Sequence, residues 1–253
     1  MRTLVTGVAG FIGSTLADAL LARGDRVLGV DCFTPYYERG AKEANIADAR
    51  RSDRFELAEA DLRVSDIEAL LDGVDVVFHQ AAQAGVRLSW SDGFADYAGH
   101  NILATQRLLE AAKRVGGTKV VYASSSSVYG NAAEYPTSED DLPRPHSPYG
   151  VTKLAAEHLC CLYAANWALP TVSLRYFTVY GPRQRPDMAM HRLLEAALSG
   201  ASFPLYGDGS AVRDFTYVDD VVRANITAGD HDCEPGLVVN IAGGSSITMT
   251  ELL

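Results

Sequence analysis

Short apolar, β-branched runs alternate along the chain with longer segments whose apolar residues recur at helical spacing. The short runs predict strands and the longer segments predict helices. This alternation predicts an α/β fold, in which a parallel sheet carries helices on both faces. The predicted strands are Arg2–Thr6, Arg26–Val30, Phe55–Ala58, Val74–Phe78, Lys119–Tyr122 and Thr171–Tyr176, and the predicted helices are Phe11–Arg23, Ile67–Leu71, Asn101–Val115 and Tyr149–Trp167.

The regular alternation weakens after residue 176. A helix is predicted near Asp187, and residues 203–226 predict a short strand, a glycine-rich turn, a second strand and a helix capped by Asp219. We therefore expect a larger α/β domain at 1–176, with a return near 214–228. A smaller lobe is expected to comprise 177–213 and 229–253. Thr248 and Glu251 have capping-box spacing, so a helix is expected to start within Ser245–Leu253 and the chain to continue beyond it.

Composition narrows the possible partners and the compartment. The 253 residues are 47% hydrophobic and carry a formal net charge of −10, which argues against disorder and against binding a nucleic-acid backbone. The start, MRTLVTG, does not resemble a signal peptide, and no apolar run is long enough to span a membrane. The four cysteines are Cys32, Cys160, Cys161 and Cys233, and they have neither CxxC nor metal-ligand spacing. We therefore expect a cytoplasmic protein without a metal.

A glycine-rich turn joins the first predicted strand to the first predicted helix. In TGVAGFIGS, Gly7 would permit the tight turn, Gly10 would let the backbone approach a pyrophosphate, and Gly13 would let helix and strand pack closely. The helix N-terminus would supply amide donors and the positive end of the helix dipole. The strand-turn-helix context favours a dinucleotide site, and hence a Rossmann-type doubly wound sheet, over a plain turn.

Acidic residues follow the next two strands. Asp31 ends the second predicted strand, where a carboxylate accepts hydrogen bonds from the adenosine ribose and repels a 2′-phosphate. NAD is therefore favoured over NADP. Asp61 and Leu62 follow the third strand and either border the adenine or mark a helix N-cap.

Tyr149 and Lys153 in SPYGVTK are four positions apart, which places both on one face of a helix. A free tyrosine, with a pKa of about 10, is too weak an acid to act as a base near pH 7. A neighbouring ammonium group would stabilise the phenolate and lower the pKa of Tyr149. The pair predicts a tyrosine base, although the same spacing also occurs by chance in surface pairs.

Six motifs, in this order, resemble the extended short-chain dehydrogenase/reductases, and within them the NAD-dependent nucleotide-sugar epimerases. They span nearly the whole chain: TGVAGFIGS, HQAAQAGVR, ASSSSVYG, SPYGVTK, RYFTVYGPRQRPDMA and RDFTYVDD. AAQAGVR and GPRQRPDMA look most like UDP-glucuronate 4-epimerases. The resemblance implies that Tyr149 is the base, that Lys153 binds the nicotinamide ribose, and that Ser125 contacts the reacting sugar oxygen.

The resemblance also implies contacts to the cofactor. Phe11 and Ile12 would join the glycines around the pyrophosphate, and Asn101 would either start a helix near the cofactor phosphates or only cap that helix. The remaining residues implied to line the cofactor are Gln80, Ala81, Ala82, Ser124 and Tyr176.

The serine run separates the possible reactions. Related 4,6-dehydratases carry Asp and Glu directly after the catalytic hydroxyl residue, and related UDP-glucuronate decarboxylases carry Glu directly before Val-Tyr-Gly. This chain has Ser126 and Ser127 at those positions, so no carboxylate is available there to remove the C5 proton. Hydroxyls would donate hydrogen bonds to a substrate carboxylate that glutamate would repel. Thr178, where galactose-type epimerases usually have Asn, is expected to face the sugar as well.

The expected activity is NAD-dependent 4-epimerisation of a UDP-sugar, with UDP-glucuronate to UDP-galacturonate as the first choice. Tyr149 would accept the 4′-hydroxyl proton, and a 4-keto sugar would be reduced again on its other face. UDP-glucose/UDP-galactose 4-epimerisation and UDP-glucuronate decarboxylation are the alternatives, and a non-catalytic cofactor sensor is disfavoured by the presence of Tyr149 and Lys153. Family members pair through two helices, here Asn101–Val115 and Tyr149–Trp167, so we expect a homodimer.

Arginines are expected to hold the nucleotide half of the substrate. Arg213 matches a family residue that contacts the diphosphate. Arg87 and Arg185 are either further ligands or exposed ion-pairing residues, and Met188 is assigned to the substrate side. Tyr206 either stacks near the uracil or belongs to the core.

Overall fold

A seven-stranded parallel sheet forms the centre of the computed structural model, which describes residues 1–131, 136–205 and 207–253. The strand order is β3-β2-β1-β4-β5-β6-β9. Its strands are β1 (Arg2–Thr6), β2 (Arg26–Asp31), β3 (Phe55–Glu59), β4 (Val76–His79), β5 (Lys119–Ser125), β6 (Thr171–Tyr176) and β9 (Leu237–Ile241). A small sheet of order β10-β8-β7 contains β7 (Thr178–Tyr180), β8 (Val212–Tyr217) and β10 (Ser246–Thr248).

Nine α-helices lie in the described residues and connect or cover these strands. They are α1 (Phe11–Ala22), α2 (Arg39–Asn45), α3 (Ile67–Leu70), α4 (Phe94–Tyr97), α5 (Ala104–Val115), α6 (Pro148–Trp167), α7 (Ala189–Ser199), α8 (Val218–Asp230) and α9 (Met249–Leu252). A π-helical segment, Ala98–Leu103, joins α4 to α5, and short 3₁₀ turns cover Ala49–Arg51, Arg87–Ser89, Ser91–Gly93 and Ser126–Val128.

Two apolar cores lie on opposite faces of the large sheet. Neighbouring residues on β1 divide between them, since Leu4 belongs to one cluster and Val5 to the other. Helices α1 and α8 cover the Val5 face, while α3, α5 and α6 cover the Leu4 face. Burial on both faces explains why the central strands are almost uninterrupted apolar runs. The predicted α/β class with helices on both faces is confirmed.

Several predicted elements differ in detail from the observed ones. Asn101 lies in the π-helical segment, so the α-helix begins only at Ala104. The helix predicted near Asp187 begins at Ala189, because Met188 still has extended backbone. The predicted cap at Asp219 is wrong: Tyr217 is the N-cap of α8, and Asp219 lies within the first turn.

The C-terminal part of the chain contributes to both sheets. β9 pairs with β6 in the large sheet, although the predicted division placed residues 229–253 in the smaller lobe. Helix α8 returns to the large domain and packs near α1, while β10 pairs antiparallel with β8. The strand expected near Phe203 is absent from residues 203–205, and Tyr206 lies outside the described residues. The capping box at Thr248 and Glu251 is present and starts α9.

Candidate active site

The backbone packs very closely in the turn between β1 and α1, at the carboxyl edge of the large sheet. Gly7 has a φ of +66°, and a Cβ atom there would lie 2.9 Å from the Cα of Ala81. A Cβ on Gly13 would lie 2.2 Å from the carbonyl oxygen of Gly7. Gly10 is the N-cap of α1 and provides no side-chain cap. The first turn of α1 therefore presents backbone amides to a cleft, which is the arrangement that binds a pyrophosphate.

The cleft runs along the carboxyl ends of β1, β2, β4 and β5. Many residues predicted to bind the cofactor lie in its wall, namely Gly7, Gly10, Phe11, Ile12, Gly13, Asp31, Asp61, Leu62, Gln80, Ala81, Ala82, Ser124, Tyr149, Lys153 and Tyr176. These residues come from distant parts of the chain and meet because parallel strands end at one edge.

Asp31 is held in place at the end of β2. Its Oδ2 accepts a hydrogen bond from the amide of Ala9 at 3.1 Å, and its Oδ1 accepts one from the amide of Phe33 at 2.8 Å. The carboxylate is thus tied to the glycine turn and faces the cleft. This position suits recognition of ribose hydroxyls.

Asp61 lies in the cleft wall and is not a helix cap. Helix α3 is capped by Asp66, whose side chain accepts from the amide of Ala69. Asp61 instead pairs with Arg63 at 2.7 Å, and hydrogen bonds from that guanidinium lower the pKa of the Asp61 carboxyl. The alternative of a helix N-cap is therefore wrong, while Asp61 and Leu62 lie in the cleft wall and their contact with an adenine stays a prediction.

Tyr176 and Gln80 form one polar cluster at the floor of the cleft. The Tyr176 hydroxyl donates to Gln80 Oε1 at 3.2 Å, and the Gln80 amide donates to Asn225 Oδ1 at 2.9 Å. Asn225 lies on α8, so this helix supports the floor from below. Ala81 donates its backbone amide to Thr6 Oγ1 at 3.0 Å, which fixes the chain as it leaves β4.

Asn101 is not part of the cleft wall, and it neither starts nor caps a helix, because it lies within the π-helical segment. Its predicted place near the cofactor phosphates stays a prediction. Its Oδ1 accepts from the amide of Gln83 at 2.8 Å, and its Nδ2 donates to the Gln83 carbonyl at 3.1 Å and to Thr152 Oγ1 at 2.9 Å. These hydrogen bonds join the loop after β4 to helix α6. Leu103, not Asn101, precedes α5 as its N-cap.

Tyr149 and Lys153 lie on α6, the helix that borders the end of β5. Burial raises the pKa of Tyr149, whereas a hydrogen bond with Ser125 and the charge of Arg185 lower it. Burial lowers the pKa of Lys153 to about 7, and its Nζ lies 4.5 Å from the ring centroid of Tyr122. Arg185, which the sequence analysis did not connect with Tyr149, is thus a cation that lowers the pKa of this tyrosine, and the predicted effect of Lys153 on the same pKa stays a prediction.

Arg185 occupies the end of the cleft beside Tyr149. Its Nε donates to Asp187 Oδ1 at 2.9 Å and its Nη2 donates to Asp187 Oδ2 at 3.0 Å. Tyr36 also donates to Asp187, at 3.2 Å. Arg185 is thus an ion-paired residue, as one interpretation expected, but it faces the cleft rather than bulk water.

A second cavity lies next to the first and shares Tyr36 with it. Arg87 and Arg213, both predicted substrate ligands, lie in its wall together with Arg192. Apolar residues such as Phe203 and Leu205 complete it. A cavity with several guanidinium groups and an apolar side can accommodate a nucleoside diphosphate.

The remaining predicted substrate residues lie outside the walls of the two cavities or outside the described residues. Ser126 and Ser127 lie in the 3₁₀ turn after β5 and Thr178 begins β7, all three half-buried. Met188 is partly buried against the core cluster on the α1 face, as the N-cap residue of α7. Neither of the two cavities described above includes these four residues in its wall. Tyr206 is outside the described residues.

Several cleft residues were missed by the sequence analysis. Lys42 is buried on α2, donates to the Thr34 carbonyl at 2.7 Å, and has its pKa lowered by burial. His100 lies in the cleft wall from the π-helical segment, and Arg192 lies in the second cavity from α7. No local sequence signal marks these positions, because each reaches its cavity only through the packing of its helix.

The described residues hold no group of three or more His, Cys, Asp or Glu side chains arranged to bind a metal ion. His79 is fully buried between Thr6 Oγ1 at 2.7 Å and Thr105 Oγ1 at 3.0 Å, and burial lowers its pKa to about 3. In the part of the chain that is described, none of the helices combines the length and apolarity needed to cross a membrane.

Known proteins share this fold and much of this sequence. The profile of the NAD dependent epimerase/dehydratase family matches residues 3–242. An uncharacterized UDP-glucose epimerase of Bacillus subtilis is 44% identical over 100% of this chain and 80% of its own length. A UDP-glucose 4-epimerase of Mycolicibacterium smegmatis is 43% identical over 90% of this chain and 73% of its own. The crystal structure of UDP-glucuronic acid 4-epimerase from Bacillus cereus with UDP-glucuronic acid and NAD superposes with a TM-score of 0.95, at 45% identity, covering 100% of this chain and 81% of that one.

The glycine turn can be tested by filling it. We expect Gly13→Ala to raise the dissociation constant for NAD at least about tenfold, because its Cβ would meet the Gly7 carbonyl at 2.2 Å and open the turn. Titration calorimetry with NAD measures this. Gly40→Ala is the control, since a Cβ on Gly40 would meet nothing within 4 Å. Equal NAD affinity in both variants would show that the cleft does not need the close approach at position 13.

Proposed function

This chain belongs to the NAD dependent epimerase/dehydratase family, and we propose that it catalyses 4-epimerisation of a UDP-sugar, UDP-glucuronate to UDP-galacturonate in the first place. The observation that carries the proposal is the hydrogen-bonded pair of Ser125 and Tyr149 at the end of a dinucleotide cleft. The neighbouring arginine-lined cavity supports a nucleoside diphosphate substrate. The Bacillus cereus relative, at 45% identity, was crystallised with UDP-glucuronic acid and NAD.

The residues of the first cleft fit NAD. The amides of the first turn of α1 would hold the pyrophosphate, and Asp31 would accept from the adenosine ribose. Lys153 would donate to the nicotinamide ribose. NAD, when bound, accepts a hydride from C4′ of the sugar and returns it. Because the cofactor ends each cycle in its starting form, an enclosed site that keeps it bound suits the reaction.

Tyr149 acts as the acid and base in this proposal. Its oxygen accepts the proton of the 4′-hydroxyl as the C4′–H bond breaks, and Ser125 donates to the same sugar oxygen. The 4-keto sugar then turns about its diphosphate linkage and presents its other face. Tyr149 returns the proton to the oxygen as C4′ is reduced, which inverts C4′. The Arg185 charge favours the phenolate, since it lowers the pKa of Tyr149 against the effect of burial.

The serine turn after β5 favours epimerisation over dehydration and decarboxylation. Ser126 and Ser127 supply hydroxyls where related dehydratases and decarboxylases use carboxylates. A uronic acid brings its own carboxylate, and we propose that Ser126, Ser127 and Thr178 bind it. The UDP-glucose epimerases among the relatives keep the neutral hexose as the second candidate substrate.

The division into two functional parts follows the two cavities. We propose that residues 1–176 with α8 and β9 hold the cofactor. Arg87, Arg185, Arg213 and the segment around β7, α7 and β8 would hold the UDP-sugar. Met188 would support this segment from the core rather than touch the sugar. For Tyr206 the substrate contact stays a prediction.

We also propose a cytoplasmic homodimer paired through α5 and α6. Large apolar side chains are exposed at or beside these two helices, including Leu103 at 49%, Leu162 at 50% and Trp167 at 52% exposure. A face of this kind is costly to leave in water and is typical of an interface. The free cysteines suit a reducing compartment.

Tyr149→Phe tests the chemical step. We expect kcat to fall about a thousandfold, because the sugar hydroxyl loses its proton acceptor. The assay is NMR of the products after incubation with UDP-glucuronate, UDP-glucose and UDP-xylose. Tyr163→Phe, on the same helix but bonded to Glu110 instead of the cleft, should keep its rate. Unchanged turnover in Tyr149→Phe would refute the mechanism.

Loss of the hydroxyl contacts to the substrate carboxylate should allow decarboxylation as a side reaction. The 4-keto uronate is a β-keto acid, and it loses CO₂ when its C5–carboxylate bond lies perpendicular to the carbonyl. Ser127→Ala and Thr178→Ala should therefore release CO₂ and a UDP-pentose, seen by NMR, while the exposed Ser210→Ala should not. Clean epimerisation by both variants would contradict the proposed role of these hydroxyls.

The dimer interface can be tested with a charge. Leu162→Glu should convert the protein to a monomer in light scattering after gel filtration, because a buried unpaired carboxylate opposes association. Leu198→Glu, on α7 where Leu198 is 90% exposed, should leave the mass unchanged. A dimer that persists in Leu162→Glu would place the interface elsewhere.

A further inference from the structure

A buried ion pair lies directly behind the candidate active site. Glu157 on α6 and Arg175 on β6 are 2% and 5% exposed. The Nη2 of Arg175 donates to Glu157 Oε1 at 2.7 Å, and its Nε donates to Oε2 at 3.0 Å. Such a pair costs much of its attraction in lost hydration, so it contributes little net stability. Its presence among apolar helices therefore calls for another role.

The pair binds together the chain segments that carry the reacting groups. Ser124 donates to Glu157 Oε2 at 2.5 Å, and Ser124 directly precedes Ser125, the partner of Tyr149. In the parallel ladder, Ser124 is registered opposite Arg175. Glu157 follows Lys153 by one helical turn, so both side chains lie on the same side of α6.

The network continues from Arg175 to the far side of the serine turn. Its Nη1 donates to the Tyr129 hydroxyl at 2.5 Å and to the Glu139 carbonyl at 3.2 Å. Tyr129 in turn donates to Asn240 Oδ1 at 2.7 Å, on β9. The segment from Ser124 to Tyr129 is thus held at both ends by groups bonded to this one ion pair.

Glu157 also matters for the charge of Lys153. The titratable groups facing Lys153 are Cys160 and Glu157 on its own helix, His79 on β4 and Tyr122 on β5. Burial lowers the pKa of His79 and raises the pKa of Tyr122 and of Cys160, so these three are neutral near pH 7. Burial lowers the pKa of Lys153, whereas Cys160 and Glu157 raise it; because the Cys160 thiol is neutral near pH 7, Glu157 is the group that opposes burial there.

We propose that Glu157 and Arg175 are positioning residues, which set the placement of Ser125 against Tyr149 and hold a carboxylate one helical turn from Lys153. The inference rests on the proposed function only where it predicts changes in the reaction rate. It assigns a role in the reaction to two buried residues that touch neither the cofactor cleft nor the second cavity. Glu157 acts through Ser124 and Lys153, and Arg175 acts through Glu157 and Tyr129.

The test compares one single and one double variant. Glu157→Gln leaves the Arg175 charge buried and unpaired, so this variant should also lose stability. Glu157→Met with Arg175→Met removes both charges at similar volume and should refold to near the wild-type melting temperature. We expect both variants to lose about tenfold or more in kcat, with a smaller change in KM, because the reacting groups are no longer aligned.

The pKa of Lys153 supplies a readout independent of activity. In protein labelled with ¹³Cε-lysine, with Lys153→Met for assignment, the wild-type Lys153 should titrate with a pKa of about 7. We expect this pKa to be lower by about one unit in both variants. The descending limb of the kcat–pH profile should move to lower pH by the same amount, since the ammonium deprotonates earlier.

Asp25→Asn is the matched control. Asp25 is also a largely buried carboxylate paired with an arginine, Arg23 at 2.7 Å, but it lies at the opposite edge of the sheet. This variant should change stability without moving the pKa of Lys153 or the pH profile.

Two outcomes would overturn the inference. One is a double variant with wild-type kcat and an unmoved Lys153 pKa, which would reduce the pair to a packing element. The other is a Glu157→Gln variant that loses stability but keeps the wild-type kcat and the wild-type pKa of Lys153. If the wild type fails to epimerise any UDP-sugar, the proposed function is wrong, and the NMR titration still decides whether Glu157 controls Lys153.

Discussion

The carbonyl of Gly7 and the first turn of α1 approach so closely that no side chain fits between them, and the cofactor cleft depends on this contact. A Cβ at position 13 would lie 2.2 Å from that oxygen. The close approach directs the amides of α1 along the carboxyl edge of the sheet. The amide of Ala9 in the same turn donates to Asp31 at 3.1 Å, and Ala81, two residues after β4, packs on Gly7. These contacts bring the ends of β1 and β2 and the segment after β4 together at one cleft.

Burial of the polar groups governs the chemistry of this cleft. It raises the pKa of Tyr149 and lowers the pKa of Lys153 to about 7, so both groups are biased toward their neutral forms. The opposing influences are nearby charges: Arg185 favours the phenolate of Tyr149, and Glu157 favours the ammonium of Lys153. A protein with a net charge of −10 places its cations where an anionic ligand would bind, beside Tyr149 and in the second cavity. The local arrangement of charge, rather than its sum, makes the molecule suited to a nucleotide sugar.

The small sheet is joined to the large one by short segments of the chain. β7 follows β6 after a single residue, so Thr178 is placed within two residues of Tyr176 in the cofactor cleft. β8 pairs with β7 and leads directly into α8, which supports the cleft floor through Asn225. Because β9 then returns to β6, the chain passes from the large sheet to the small sheet and back again.

The sequence by itself determined the layered α/β fold, the glycine turn, the acidic residue at the end of β2 and the shared face of Tyr149 and Lys153. These features depend on residues near each other in the chain, where periodicity and turn chemistry act directly. Only the tertiary structure decided the rest. Asn101 lies in a π-helical segment and bonds to Gln83, Lys42 lies in the cleft wall through the packing of its helix, and β9 joins the large sheet. Glu157 and Arg175 meet although they are 18 residues apart, because α6 folds back over β5 and β6. No local pattern carries that information, since the contact exists only once the helix has packed on the sheet.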